Sequence, residues 1–441
     1  MSGPPFRIAS ITAGAGGMFC GSCMHDNTLA RALCRKPGVE CVLVPTYTPI
    51  RTDDEDVSLN RVFLGGLTVY LEQIAPWLRF APRFVTRAFD QPRLLRWIAS
   101  RAVGTHPKKL GALTLSMLSG TEGRQRVEVR RLCRWLADDL RPDVVLFSNI
   151  LIGGCIPELK RILGTPVFAT LQGDDIFLDG LAEDHRARAV EAIRRLVPLV
   201  DGFLTHSRFY AGKMGRLFDI PPAKRHIIPL GIDPFEPPRD ATHPPTSGAR
   251  PLAIGYLARL APEKGLHQLT DAFLLLKGLS GMESTRLEIA GWLGAHHRGY
   301  ADAQFGRLRA AGWGDHFTYS GTIDRDGKRA FLSRIDLLSV PTVYPDPKGL
   351  YVLEAMAMGV PVVQPAHGAF PEWIEASGAG ELVEPGDPKA LAEAWHRLLR
   401  DPARRAAFAE AGRNAARGPF HADRVADRVL EMLRGTAARA C

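Results

Sequence analysis

Short runs of consecutive apolar residues recur along the chain, and between them the apolar positions change to a spacing of three and four. RIASI, ECVLVPTY, PDVVLFS, TPVFATL and DGFLTHS in the first half, and LEIAGWLG, HFTYSGTI, DLLSVPT and VPVV in the second, have the length and composition of strands buried on both faces. The stretches between them read as helices; Leu266, Leu269, Ala272, Phe273 and Leu276 form one such stripe. Strand and helix alternating in this way predict doubly wound α/β domains. No internal repeat or low-complexity tract interrupts the pattern. One passage does break it: PFEPPRDATHPPTSGARP, 234–251, whose proline and polar content predicts a linker. Near the end, FHADRVADRVLEMLRG sets Val425, Val429, Leu430, Met432 and Leu433 at helical spacing.

Composition fits two enzyme-sized domains. The chain has 441 residues, 46% of them hydrophobic and 23% charged, enough for two units of about 200 residues, each with its own core. The net charge of +9 is spread along the sequence without lysine-rich blocks, so a nucleic-acid partner is not expected. Seven irregularly spaced cysteines, and an opening strand where a signal peptide would stand, predict the reducing cytosol. No apolar run approaches the roughly 18 residues that span a bilayer. Between 77 and 101, arginines alternate with tryptophan, phenylalanine and leucine. Such a stretch can lie on an anionic membrane surface, or it can pack on the first domain with its arginines reaching to water. Pro76, Pro82 and Pro92 break it into short pieces, which favours packing. Cys20 and Cys23 form a C-x-x-C near His25, but no second doublet exists to complete a metal site, so free thiols are expected.

Two passages carry chemistry. In YPDPKGLYVLEAMAMGVPVV, 344–363, Pro345 and Pro347 hold an extended loop, Gly349 permits close approach to a ligand, and 350–358 has helix-forming composition ended by Gly359. The junction falls at the carboxyl-end side of a sheet, where the N–H groups of Gly349, Leu350 and Tyr351 can receive an anion such as a diphosphate. Asp346 and Glu354, eight apart, can flank that anion and accept hydrogen bonds from hydroxyl groups. PLAIGYLARLAPEKGLHQLTDAFLLL, 251–276, predicts a strand, a loop and a helix, with Arg259 and Lys264 leaving one loop so that both cations can converge on one anion. Solvated surface charges are the plain alternative for such residues.

The first passage resembles the acidic-x7-acidic signature of the family 4 retaining glycosyltransferases, and the second resembles their G-R-x-x-x-x-K-G element. The resemblance implies the α/β GT-B fold: two Rossmann-like domains facing across a cleft, 1–233 on the acceptor side, 234–415 binding the nucleotide sugar, and a crossover helix and tail in 416–441. It assigns Arg259 and Lys264 to the leaving diphosphate, Asp346 to the donor sugar's hydroxyls and Glu354 to the ribose, with backbone near Gly321 reading the base. The family usually has Glu at the first acidic position; Asp346 is shorter by about 1.5 Å. The family's Gly-Gly aligns with Gly16 and Gly17, or with Cys20 and Gly21, so Gly17 and Gly21 are both candidates for amide contacts to phosphate or sugar. His25, Asp26 and Asn27 open the following helix and either line the acceptor side or cap it. Gln172 stands where the family shows a histidine; it can bond a sugar hydroxyl or a backbone carbonyl but cannot act as a base. Asp174 and Asp175 either hold the acceptor or cap the turn, and Ser148 and Asn149 replace further histidines.

The implied activity is retaining transfer of a sugar from a nucleotide-diphosphate sugar to a hydroxyl acceptor by a front-face reaction, with no metal and no cofactor beyond the nucleotide-sugar co-substrate. A carbohydrate or lipid-linked acceptor and a cytoplasmic location, with peripheral contact to the inner membrane face through 77–101, complete the expectation. GGLTVYLEQI, 65–74, resembles part of glycogen and starch synthases and points mildly to carbohydrate. The alternative is a catalytically impaired relative that binds sugar or nucleotide, or acts as a scaffold.

Overall fold

Each apolar run becomes a strand of one of two six-stranded parallel sheets. The computed structural model describes residues 4–14, 21–59, 62–63, 110–235 and 250–440. Gly16, Gly17, Cys20, the segment 65–74, the arginine-rich stretch 77–101 and the linker beyond Phe235 lie outside the described residues. Two compact units divide the chain, Met1–Gly231 with Ala422–Cys441, and Ile232–His421.

The first sheet contains β1 (Phe6–Thr12), β2 (Val39–Pro45), β3 (Val144–Phe147), β4 (Val167–Thr170), β5 (Gly202–Thr205) and β6 (Arg225–Ile227), in the order β2-β1-β3-β4-β5-β6. The second contains β7 (Ala253–Leu257), β8 (Arg286–Ala290), β9 (Phe317–Tyr319), β10 (Leu337–Leu338), β11 (Val362–Pro365) and β12 (Gly380–Val383), in the order β12-β11-β10-β7-β8-β9. Strands β3, β4, β5, β7 and β11 are buried at every residue, as helices on both faces require. Strands β6 and β12 have no apolar run to announce them. They close the edges of their sheets, where RHI and GELV meet water on one side.

The helices that carry or brace the candidate residues are α1 (Gly21–Cys34), α2 (Asp174–Asp179), α3 (Arg208–Leu217), α4 (Leu266–Lys277), α5 (Arg325–Ser333), α6 (Leu350–Ala357) and α7 (Ala422–Ala440). Helix α7 belongs to the first unit although it comes after the second in sequence. Val425, Ala426, Val429 and Leu433 are buried in one cluster with Leu29, Ala30 and Leu33 of α1; each fully buried Val or Leu contributes about 1.5–3 kcal/mol. Arg35 and Lys36 pair with Asp423 and Asp427 at 2.7 Å, partly exposed contacts that align the helix more than they stabilise it.

In a doubly wound sheet the chain leaves the first strand in opposite directions on its two sides, and the loops diverging there open a crevice at the carboxyl ends. In the first sheet that point lies between β1 and β3, and in the second between β7 and β10. The loops after β7 and β10 carry Arg259, Lys264, Asp346 and Gly349, the residues to which the motifs point.

Candidate active site

Two glycines bring the second unit's loops together. Gly265 starts α4 at φ +73°, and a Cβ there would lie 1.7 Å from the Pro341 carbonyl oxygen, so no other residue lets the β7 loop meet the chain leaving β10. Gly291, after β8, has φ +144°, and a Cβ there would lie 1.8 Å from the Ala258 oxygen.

The approach at Gly265 drives Lys264 into the loop that contains Asp346. Lys264 is 8% exposed; its Nζ donates to Asp346 Oδ2 at 2.6 Å and to the Tyr344 hydroxyl at 2.8 Å. The rings of Tyr344 and Tyr351 face the same ammonium at 5.0 and 5.5 Å. Asp346 accepts from the Lys348 and Gly349 amides through Oδ1, at 3.0 and 3.3 Å, and from the Tyr351 hydroxyl through Oδ2, at 3.1 Å. Burial pushes its carboxyl up, but the Lys264 charge and these hydrogen bonds outweigh burial and hold it at about 2. Tyr351 is pushed well up, first by burial and then by the neighbouring Asp346 charge.

This geometry changes two sequence expectations. The Gly349 amide points at Asp346 rather than toward an incoming anion. Glycine is required at 349 by its φ of +65° and by the Phe370 ring, 2.6 Å from where a Cβ would stand. Asp346 is 3% exposed and has both carboxylate oxygens engaged by the chain, so sugar hydroxyls meet it only if one of these bonds yields. Tyr351 is a candidate by sequence for its amide, yet its hydroxyl bonds Asp346.

Eight residues on, Glu354 projects from α6 and is 6% exposed. Its Oε1 accepts from Lys328 Nζ of α5 at 2.6 Å, forming a second buried ion pair. Arg259 is different: its side chain is 43% exposed and pairs with Glu263 of its own loop at 3.3 Å. Gly321 has φ +69°, its carbonyl accepts from the Gly291 amide at 2.8 Å, and a Cβ there would meet open space. Leu350 opens α6 partly exposed.

The first unit's candidates form a separate polar network across the ends of β1, β3 and β4. Gln172 Nε2 donates to the Ser148 carbonyl at 2.7 Å and to Asp26 Oδ1 at 3.1 Å, while Thr12 Oγ1 donates to Asp26 Oδ2 at 2.8 Å. Gln172 thus takes the backbone-holding role left open by its sequence. Asp174 accepts from the Gln172 amide at 2.9 Å and the Ile150 amide at 3.1 Å, which makes it the cap of this turn. Burial raises its carboxyl to about 6 against those hydrogen bonds. Asp175 accepts from Tyr210 Oη and Lys213 Nζ of α3, each at 2.5 Å. Helix α1 begins at Gly21, so His25, Asp26 and Asn27 lie in its second turn and are buried, rather than opening it. Gly21 itself has open space where a Cβ would stand.

Sequence reasoning missed Lys328, Gly265, Gly291 and the tyrosine hydroxyls. Lys328 left a readable signal, since it lies three and four residues before Phe331 and Leu332 and so falls on the apolar face of α5.

Residues 244–415 match the family described as glycosyl transferases group 1, and residues 65–231 match the glycosyl transferase 4-like domain. A protein described as a putative colanic acid biosynthesis glycosyltransferase, from Salmonella typhimurium, is 30% identical over 337 residues, 72% of this chain and 78% of its own length. The phosphatidyl-myo-inositol mannosyltransferase of Mycobacterium leprae is 32% identical over 198 residues, 43% of this chain and half of that protein. The HepE protein of Anabaena, solved in complex with UDP, superposes with a TM-score of 0.66 at 15% identity, over 97% of this chain and all of the other, a likeness that speaks for the fold. No helix among the described residues is long and apolar enough to cross a membrane. Two parallel Rossmann-like sheets, a loop with Arg259 and Lys264 beside Asp346, and a 30% identical relative matched over most of its length lead to one conclusion: the chain is a GT-B protein of the glycosyl transferases group 1 family.

Proposed function

We propose that the protein is a retaining glycosyltransferase that moves a sugar from a nucleotide-diphosphate sugar to a hydroxyl acceptor. The observation that carries this reading is the buried Lys264 ammonium beside Asp346 at the crevice of the second sheet, with the half-exposed Arg259 on the same loop. The donor diphosphate takes Lys264 and Arg259, and Glu354 accepts from the ribose. As the glycosidic bond breaks, negative charge gathers on the departing diphosphate, where both cations stabilise it without a metal. As the family resemblance implies, the departing phosphate oxygen deprotonates the acceptor hydroxyl on the same face, retaining configuration. The first unit supplies the acceptor side, and the Gln172 network holds its loops in place. The nucleotide sugar is a co-substrate; no prosthetic group is invoked. We assign the enzyme to the cytoplasm, working on a carbohydrate or lipid-linked acceptor.

The test is thermal unfolding with UDP, GDP, ADP and their sugar conjugates, beside Lys264→Ala and Glu354→Ala, and then assay of nucleotide diphosphate release. A ligand bound only by the native state raises the midpoint. One nucleotide should stabilise the wild type and neither variant; equal stabilisation of all three proteins sinks the assignment. The full engagement of Asp346 favours one second reading, a binding protein without turnover. Nucleotide binding without product release, across the donor panel, would select it.

A further inference from the structure

We propose that Lys328 is a positioning residue of the donor site: it fixes the Glu354 carboxylate and cancels its charge, so that a nucleoside diphosphate can bind beside it. The inference rests on the donor-site reading above. Lysine is almost never buried without a partner, yet Lys328 is 7% exposed and its Nζ stands 2.6 Å from Glu354 Oε1. Helix α5 is anchored by its Asp324 cap, whose carboxylate accepts from the Gly327 amide at 2.8 Å, so the ammonium is delivered from a fixed element.

Charge arithmetic gives this contact its purpose. Three cations in ion pairs, Arg259, Lys264 and Lys328, face three carboxylates, Glu263, Asp346 and Glu354, so these pairs are neutral as a set. An arriving diphosphate competes with Glu263 and Asp346 for Arg259 and Lys264. Lys328 comes from a different element, and its ammonium stays with Glu354. Without it the set carries one net negative charge, held in a poorly solvated place next to the phosphates. Repulsion between unit charges about 7 Å apart, at an effective dielectric of about 20, corresponds to a weakening of about 10- to 100-fold.

The experiment is calorimetric titration with UDP, GDP and ADP, using the tightest binder, on wild type, Lys328→Met, Lys328→Arg, Glu354→Gln and the double variant Lys328→Met/Glu354→Gln. Circular dichroism checks the fold, and Lys328→Gln replaces the methionine variant if that does not fold. Lys328→Met should weaken binding about 10- to 100-fold, Lys328→Arg should restore most of it, and the donor KM should rise more than kcat falls. In the Glu354→Gln background there is no carboxylate left to position and only the charge effect remains, so Lys328→Met should cost clearly less than it does in the wild type. Undiminished binding in Lys328→Met where Glu354→Gln binds weakly overturns the proposal, as does an equal loss in both backgrounds. Normal binding by Glu354→Gln overturns the donor-site reading itself, a distinguishable failure.

Discussion

Removing the Lys264 ammonium should cost the second unit stability as well as turnover. The Lys264 ammonium and the hydrogen bonds to Asp346 hold its carboxyl at about 2 against an ordinary 3.8, a depression that corresponds to roughly 2 kcal/mol in favour of the folded state at neutral pH. Because the folded value is depressed, this contribution is present above pH 3.8 and is lost as pH falls toward 2. In Lys264→Ala the carboxylate stays buried while its counter-ion is gone, and burial then acts almost unopposed. The expected loss at pH 7 is about 3 kcal/mol, in the range seen when one partner of a buried pair is deleted. For a unit of this size that is roughly 6–12 °C in Tm. Scanning calorimetry at pH 7 on Lys264→Ala, Asp346→Asn and Lys264→Ala/Asp346→Asn is the assay. The double variant should lose less than the sum of the single ones by at least about 1 kcal/mol, because neither orphaned charge remains. A Lys264→Ala midpoint within about 2 °C of wild type, or strict additivity, would show that the pair is solvated and refute the reasoning.

Gly265→Ala should destabilise the second unit by several kcal/mol and abolish nucleotide binding, since its Cβ would overlap the Pro341 carbonyl at a positive φ; a soluble variant with wild-type nucleotide affinity contradicts this. Asp174 should titrate near 6 by carbon NMR of its carboxyl, and since its folded value is raised, its contribution weakens stability as pH climbs from about 4 to about 6, opposite in sign to Asp346. A midpoint below about 4.5 would remove burial as the cause. Gln172→Ala leaves the Asp26 carboxylate short of a donor and should lower the first unit's Tm by a few degrees with donor-nucleotide affinity unchanged, checked by calorimetry and titration; a loss of donor affinity instead would give Gln172 a donor-site role.

The fold was legible because the central strands are continuous apolar runs, and a parallel sheet covered on both faces permits little else. Strands β6 and β12 escaped because edge position, not composition, makes them strands. The site was legible only where motif spacing encodes it. Arg259, Lys264, Asp346 and Glu354 could be named, but not that two buried lysines each hold one of the two acids. That pairing depends on Lys328 of α5 reaching Glu354 of α6, a tertiary fact, although the apolar spacing around Lys328 hinted at burial. The roles of Gly265 and Gly291 depend on carbonyls distant in sequence, at Pro341 and Ala258, which no local pattern encodes.

Helix α7 has a consequence for how the protein is made. The face of α1 formed by Leu29, Ala30 and Leu33 is completed by residues from Ala422 onward, so nearly two hundred residues must be synthesised between the end of the first unit's main segment and the piece that covers it. At about 5–20 residues per second that interval is roughly 10–40 s. The second unit, continuous in sequence from Ile232 to His421, can finish folding first, while the earlier unit waits on the ribosome with an apolar face open to chaperones or to mispairing. A chain stopped short of α7 would carry every donor-site residue named here and yet be a client for degradation through its other half.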